Sequence, residues 1–181
     1  MSFEENILKN NIILPEAKAP VGSYAATKIV GKLLFVSGQI SIDENGELIK
    51  GKIGKELTTE DGYNAAKRCG LNIVSQVKNA CYNDLSKIRS CVKLTGYVNS
   101  TNNFMEQPKV INGASDIIAS IFGDAGIHTR AAVSTNSLPL GVSVEVDAIF
   151  ELIWFIFQHQ NSQFLIFSFS KEKTYFAYRI F

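Results

Sequence analysis

Three arginines serve the first 153 residues, Arg68, Arg89 and Arg130, and the last opens an expected strand. A guanidinium offers two parallel N–H donors to a carboxylate or phosphate, which few other side chains can do. Further along, Glu145 stands between valines in Val142-Ser143-Val144-Glu145-Val146. A carboxylate on such a strand is open to two opposed effects. Partial burial raises its pKa, and a nearby Arg130 lowers it. Asp147 repeats the acid two residues on, on the same expected face. Ser37-Gly38-Gln39 follows an apolar run; there Gly38 permits close approach and the backbone can offer N–H groups. Each feature also has a plain structural reading: a surface salt bridge for Arg130, an ion pair with it for Glu145, and a strand end for Ser37-Gly38. His128, two residues before Arg130, reads as a solvated loop histidine rather than a base.

The elements that must position these residues follow from periodicity. Pro15 and Pro20 bracket an extended entry segment, and strand character begins at Tyr24. Gly31-Lys32 is a turn signal, and Leu33-Leu34-Phe35-Val36 reads as a buried strand. Asp43-Glu44-Asn45-Gly46 is a turn, and a short strand at 47–50 would complete a meander. Thr58 with Asp61 resembles a capping box. Ala66, Cys69, Gly70, Ile73, Val74, Val77 and Cys81 then form one helical stripe. A strand follows at 88–98, with Val92, Leu94 and Val98 alternating against Lys93, Thr95 and Tyr97. Pro108 opens a second helix whose stripe is Ile111, Ala114, Ile117, Ile118 and Ile121, closed by Gly123. Strands at 129–135 and 142–152 finish the body, the last with Val142, Val144, Val146, Ala148 and Phe150 on one face. Three strands, a helix, a strand, a helix and two strands make an α+β layer with helices on one sheet face. The opposite face is expected to carry Arg130, Ala132, Glu145 and Asp147. A partly polar face of that kind is solvated or closed by another subunit.

Composition removes several function classes. The chain has 181 residues, 46% hydrophobic and 19% charged, which suits a globular domain. Its formal charge is +1, of which residues 154–181 carry +2, so the body is slightly acidic and lacks a nucleic-acid footprint. Cys69, Cys81 and Cys91 are odd in number and unpaired in spacing, and with His128 and His159 the only histidines, no disulfide scaffold or metal cluster is expected. The cysteines read as small core residues. No leader pattern and no spanning apolar stretch is present, so a soluble cytoplasmic protein is expected.

Ala19-Pro20-Val21-Gly22-Ser23-Tyr24, Leu34-Phe35-Val36-Ser37-Gly38-Gln39, and Arg130 with Leu138-Pro139 and Val144-Glu145-Val146 occur in that order. This ordered set, over about residues 14–152, resembles the Rid family (reactive intermediate deaminase, YjgF-like or endoribonuclease L-PSP-like). Residues 107–115 resemble a divergent subgroup. The resemblance implies a chorismate-mutase-like fold and a homotrimer whose sheets form a central barrel, with a site in each subunit cleft. It implies hydrolysis of 2-imino acids and their enamine tautomers (2-aminoacrylate type) to 2-keto acids and ammonia, with no metal or organic cofactor. In that family pattern Arg130 binds the substrate carboxylate, Glu145 positions the water and Tyr24 is the site tyrosine. Ser37, Gly38 and Asn112 line the pocket. The cysteine that many members carry two residues after the arginine is Ala132 here, so thiolate chemistry at that point is absent. Two further classes stay open: a non-catalytic trimeric module binding a small carboxylate or a partner, and an endoribonuclease or translation inhibitor, against which the acidic body weighs.

The family domain is expected to end by residue 153. Residues 154–181 hold ten aromatics in 28 positions, and 164–169 has no charge and no proline. This reads as an appendage outside the fold, or as a peripheral anchor to a membrane or partner.

Overall fold

The computed structural model describes residues 2–153. The aromatic segment 154–181 lies outside the described residues. Five strands form one sheet: β1 (Thr27–Val30), β2 (Leu33–Ile40), β3 (Ile88–Asn99), β4 (Thr129–Thr135) and β5 (Val144–Leu152). Their order is β1-β2-β5-β3-β4, with β3 and β4 parallel and the other pairs antiparallel. Three helices accompany them: α1 (Phe3–Lys9), α2 (Thr59–Ala80) and α3 (Gln107–Phe122).

The two long helices form where their stripes and caps place them. Thr58 Oγ1 accepts from Asp61 N, and Asp61 Oδ2 accepts from Thr58 N, so both halves of the box are made. Ala66, Cys69, Ile73, Val74 and Val77 are buried, as is the whole stripe of α3 from Ile111 to Ile121. Pro108 sits in the first turn of α3, and Gly123 ends it at φ 57°. The helices meet through glycine: a Cβ on Gly113 would lie 1.9 Å from Tyr63 O and 2.9 Å from Lys67 N. One core cluster joins α2 and α3 to Leu34 and Val36 of β2, Leu94 and Val98 of β3, and Val144, Val146, Ala148 and Phe150 of β5. Cys69, Cys81 and Cys91 are buried free thiols of that core, and burial pushes Cys81 up to about 11 and Cys91 to about 12.

Four points of the fold add to or depart from the sequence expectations. The N-terminal residues form α1, capped by Ser2 and Glu5, with Phe3 edge-on to Phe122 and Asn6 Nδ2 donating to Ile121 O. The meander has no third strand. Residues 47–50 make only single bridges, Ile42 to Leu48 and Lys50 to Val142, around the Asn45-Gly46 turn held by Asp43. Val92 is exposed rather than inward, because the register slips between Cys91 and Lys93 and turns it out of phase with Leu94.

The fourth correction moves a site residue. Arg130 pairs with Leu94, and Leu94 pairs with Ala148, so Arg130 lies on the helix side of the sheet. Ala132 shares that side and packs against the core. Glu145 pairs with Tyr97 and Asp147 with Thr95, on the opposite, helix-free side. The four residues therefore do not share a face. Parallel pairing sets β4 in that register, and nothing in the alternation of Thr129-Arg130-Ala131-Ala132 announces it.

Candidate functional site

Two groups of polar residues stand on opposite sides of the sheet. The first surrounds Glu145. Val36 pairs with Ala148 and Gln39 with Val146, so Ser37 and Gly38 together oppose the single residue Asp147 in a β-bulge. The bulge turns Gly38 toward the acid so closely that a Cβ there would meet Glu145 Oε1 at 1.9 Å. Only glycine leaves room for this carboxylate. Tyr97 Oη donates to Asp147 Oδ2 at 3.1 Å beside it. Burial, then the charge of Asp147, raises the pKa of Glu145. The Tyr97 phenol is raised as well, by burial first and then by Asp147. Leu33, Phe35 and Val133 are exposed on this same side.

The second group holds Arg130. Its Nη1 donates to Asn112 Oδ1 at 2.8 Å and to Ser115 Oγ at 3.0 Å, and Nη2 donates to Pro108 O at 3.4 Å. All three acceptors lie on the first turns of α3. Both hydrogens of Nη1 are thus engaged, and Nε–H with one hydrogen of Nη2 has no partner among the described residues. That free edge is the geometry that receives a carboxylate side-on. Arg130 is exposed and forms no ion pair among the described residues, which removes the salt-bridge reading within one subunit.

The expected residues thus fall into place unevenly. Asn112 joins Arg130, and Gly38 joins Glu145. Ser37 spends both its donors on structure: its hydroxyl donates to Ala25 O at 2.7 Å and its N–H to Ala26 O, which leaves the hydroxyl oxygen only as an acceptor for a ligand. The Ser37-Gly38-Gln39 segment is a bulge inside β2, not a turn at its end. Tyr24 stands apart, 52% exposed, its ring over Gly22 and its hydroxyl without a partner among the described residues. Sequence reasoning missed Ser115, and it set His128 aside. His128 is half-buried and bonded to Ser115 at 3.0 Å. No spacing links these positions; only the docking of α3 on β4 brings them together.

The chain matches a known family. Residues 4–152 match the family model described as "YjgF/chorismate mutase-like, putative endoribonuclease". The chain belongs to this family. Among its relatives, Protein TCP17 of Trypanosoma cruzi is 43% identical over 148 residues, 81% of this chain and 92% of the relative. The 2-iminobutanoate/2-iminopropanoate deaminase of Rattus norvegicus is 26% identical over 145 residues, 80% of this chain and 90% of that enzyme. A solved structure from Shewanella oneidensis, described as a "putative endoribonuclease", superposes with a TM-score of 0.80 at 35% identity, covering 84% of this chain and all of that one. The YjgF-like fold is thereby shared in full over the described body. Among its described residues no helix is long and apolar enough to cross a membrane. No group of three acids, histidines or cysteines gathers there as a metal site would require.

Proposed function

We propose that this chain hydrolyses reactive 2-imino acids to 2-keto acids and ammonia. The observation that carries the reading is the free Nε/Nη2 edge of an Arg130 held from behind by Asn112 and Ser115. A small 2-imino acid places its carboxylate on that edge, with the C=N carbon one bond away. Charge-assisted bonds of this kind contribute about 1.5–3 kcal/mol each. The raised pKa of Glu145 suits a group that takes a proton from water and returns it. Water oxygen bonds to the imine carbon, and its proton passes to Glu145. The nitrogen gains protons, the C–N bond breaks, and ammonia leaves behind a ketone. No redox partner is needed. The deaminases among the relatives support this chemistry, as does the family that this chain shares with them.

One subunit does not bring the two groups together. Arg130 and Glu145 are two strands apart and three residues out of step, so their Cα atoms lie roughly 14 Å apart with side chains on opposite faces. A substrate of a few atoms cannot bridge that. We therefore assign the complete site to a cleft between copies, Arg130 from one subunit meeting Glu145 and Gly38 of the next, in a homotrimer. Exposed Leu33, Phe35 and Val133 on the helix-free face support burial against another copy. A carboxylate-binding module without turnover would use Arg130 alone, and separation of the two groups is what favours that second reading.

The test is competition for a nascent imine. An amino-acid oxidase generates the 2-imino acid in the presence of semicarbazide, and the full chain is added. Wild type should suppress semicarbazone formation, and Arg130→Ala should not. Equal suppression by both removes Arg130 from the chemistry. Suppression by neither, with wild type still binding 2-oxobutanoate, leaves the binding module.

A further inference from the structure

Arg130 is not held by Asn112 alone. Gly126 is buried against α3, where a Cβ would lie 2.8 Å from Ile118 O and 2.9 Å from Ala119 Cα, so its peptide is fixed. Its carbonyl lies 2.6 Å from His128 Nδ1. A nitrogen that close to a carbonyl oxygen must carry the hydrogen. In the neutral ring, Nε2 is then an acceptor, and it faces Ser115 Oγ at 3.0 Å. The Ser115 hydroxyl donates its one hydrogen to Nε2. Its lone pairs are left to face Arg130, and Nη1 donates into them at 3.0 Å. With the ring neutral, donor direction runs one way along the chain, from Arg130 through Ser115 and His128 to Gly126.

We propose that Ser115 and His128 are positioning residues that lock Arg130 with its Nε/Nη2 edge turned outward. The proposal rests on the carboxylate role given to Arg130 above. Asn112 takes one hydrogen of Nη1 and Ser115 the other, so the planar guanidinium cannot turn about Cδ–Nε or present its Nη1/Nη2 end. Without the acceptor at Nε2, the Ser115 hydroxyl can turn its own hydrogen toward Nη1, where it repels. The relay therefore needs an acceptor at position 128 and a hydroxyl at position 115. Neither residue touches the substrate. Their effect is on how well a carboxylate is held, equally in ground and transition states, so KM should move and kcat should not.

The full chain is tested with Ser115→Ala, Ser115→Thr, His128→Ala and His128→Gln. Thr keeps the hydroxyl, and Gln keeps an acceptor near the place of Nε2. Two readouts are taken: the order parameter of the Arg130 Nε–H group by NMR, and the Kd for 2-oxobutanoate by titration. Ser115→Ala and His128→Ala should each lower the order parameter and raise Kd about tenfold, the order of one hydrogen bond. KM for the imine should rise in parallel with kcat unchanged. Ser115→Thr and His128→Gln should stay close to wild type in both. An Arg130 equally ordered in Ser115→Ala, or a Kd that does not change, overturns the relay, whatever the melting temperature does. If wild type binds no 2-oxobutanoate, the carboxylate role of Arg130 fails instead. The order parameter then judges the lock by itself.

Discussion

Gly38→Ala separates the geometry of the acid from the stability of the fold. Gly38 does not occupy a positive-φ conformation, so alanine is compatible with its backbone. The added methyl would meet Glu145 Oε1 at 1.9 Å, Cδ at 2.8 Å and Cγ at 3.1 Å. Ordinary van der Waals contact begins near 3.4 Å, so the carboxylate oxygen must retreat by about 1.5 Å. The group that must move is the far end of a flexible side chain on the helix-free face, and it can swing aside. Removing a glycine from a strand recovers about 0.5–1 kcal/mol of chain entropy, which offsets much of the rearrangement. The melting temperature should therefore stay within about 3 °C of wild type. Catalysis should not survive as well. A catalytic group misplaced by about 1 Å costs on the order of 100-fold. Imine hydrolysis in the semicarbazide competition should fall at least that far, approaching the loss given by Glu145→Gln. A folded Gly38→Ala protein with full activity would refute the role of Glu145 in this position. A protein that fails to fold would refute the packing argument itself.

Gly113→Ala should behave in the opposite way, because its new methyl meets backbone rather than a side-chain tip. Overpacking of this kind costs about 1–3 kcal/mol or more, so thermal unfolding should come at least several degrees earlier. The pH profile should report Glu145. Burial and Asp147 disfavour its anion, so it stays protonated to a higher pH than an ordinary carboxylate. As the base for water it must be ionised, so kcat/KM should fall on acidification, with burial and Asp147 pulling the limb up and Arg130 of the next subunit pulling it down. Asp147→Asn removes one of the two causes and should shift that acid limb to lower pH. An acid limb that Asp147→Asn leaves in place would mean that a different group titrates.

Much of the fold is legible in the sequence where a period is long and a cap is specific. The stripes of α2 and α3, the Thr58–Asp61 box and the alternation from Val142 to Phe150 lead directly to the observed elements. Short elements are not legible in the same way. Helix α1 spans seven residues, too few for a period, although Ser2 and Glu5 carry its capping signal. Residues 47–50 have strand composition but too little length to sustain a ladder. The candidate site is legible as residue types and not as geometry. Arg130 and Glu145 are the residues that stand out, yet their faces depend on the parallel register of β4 against β3. Thr129-Arg130-Ala131-Ala132 carries no alternation that could fix it. Ser115 and His128 are invisible to spacing because a docked helix, not the local chain, makes them neighbours.

The central claim is that a working site takes Arg130 from one copy and Glu145 from another. Subunit mixing tests it most directly. Arg130→Ala and Glu145→Gln are each prepared as full chains, unfolded and refolded together in equal amounts, and assayed for imine hydrolysis. Each variant refolded by itself should be inactive. In a cyclic assembly, about a quarter of the interfaces in the mixture pair an intact Arg130 with an intact Glu145. The account predicts recovery of about that fraction of wild-type activity. A mixture as inactive as its parents, from subunits shown to have exchanged, would contradict it.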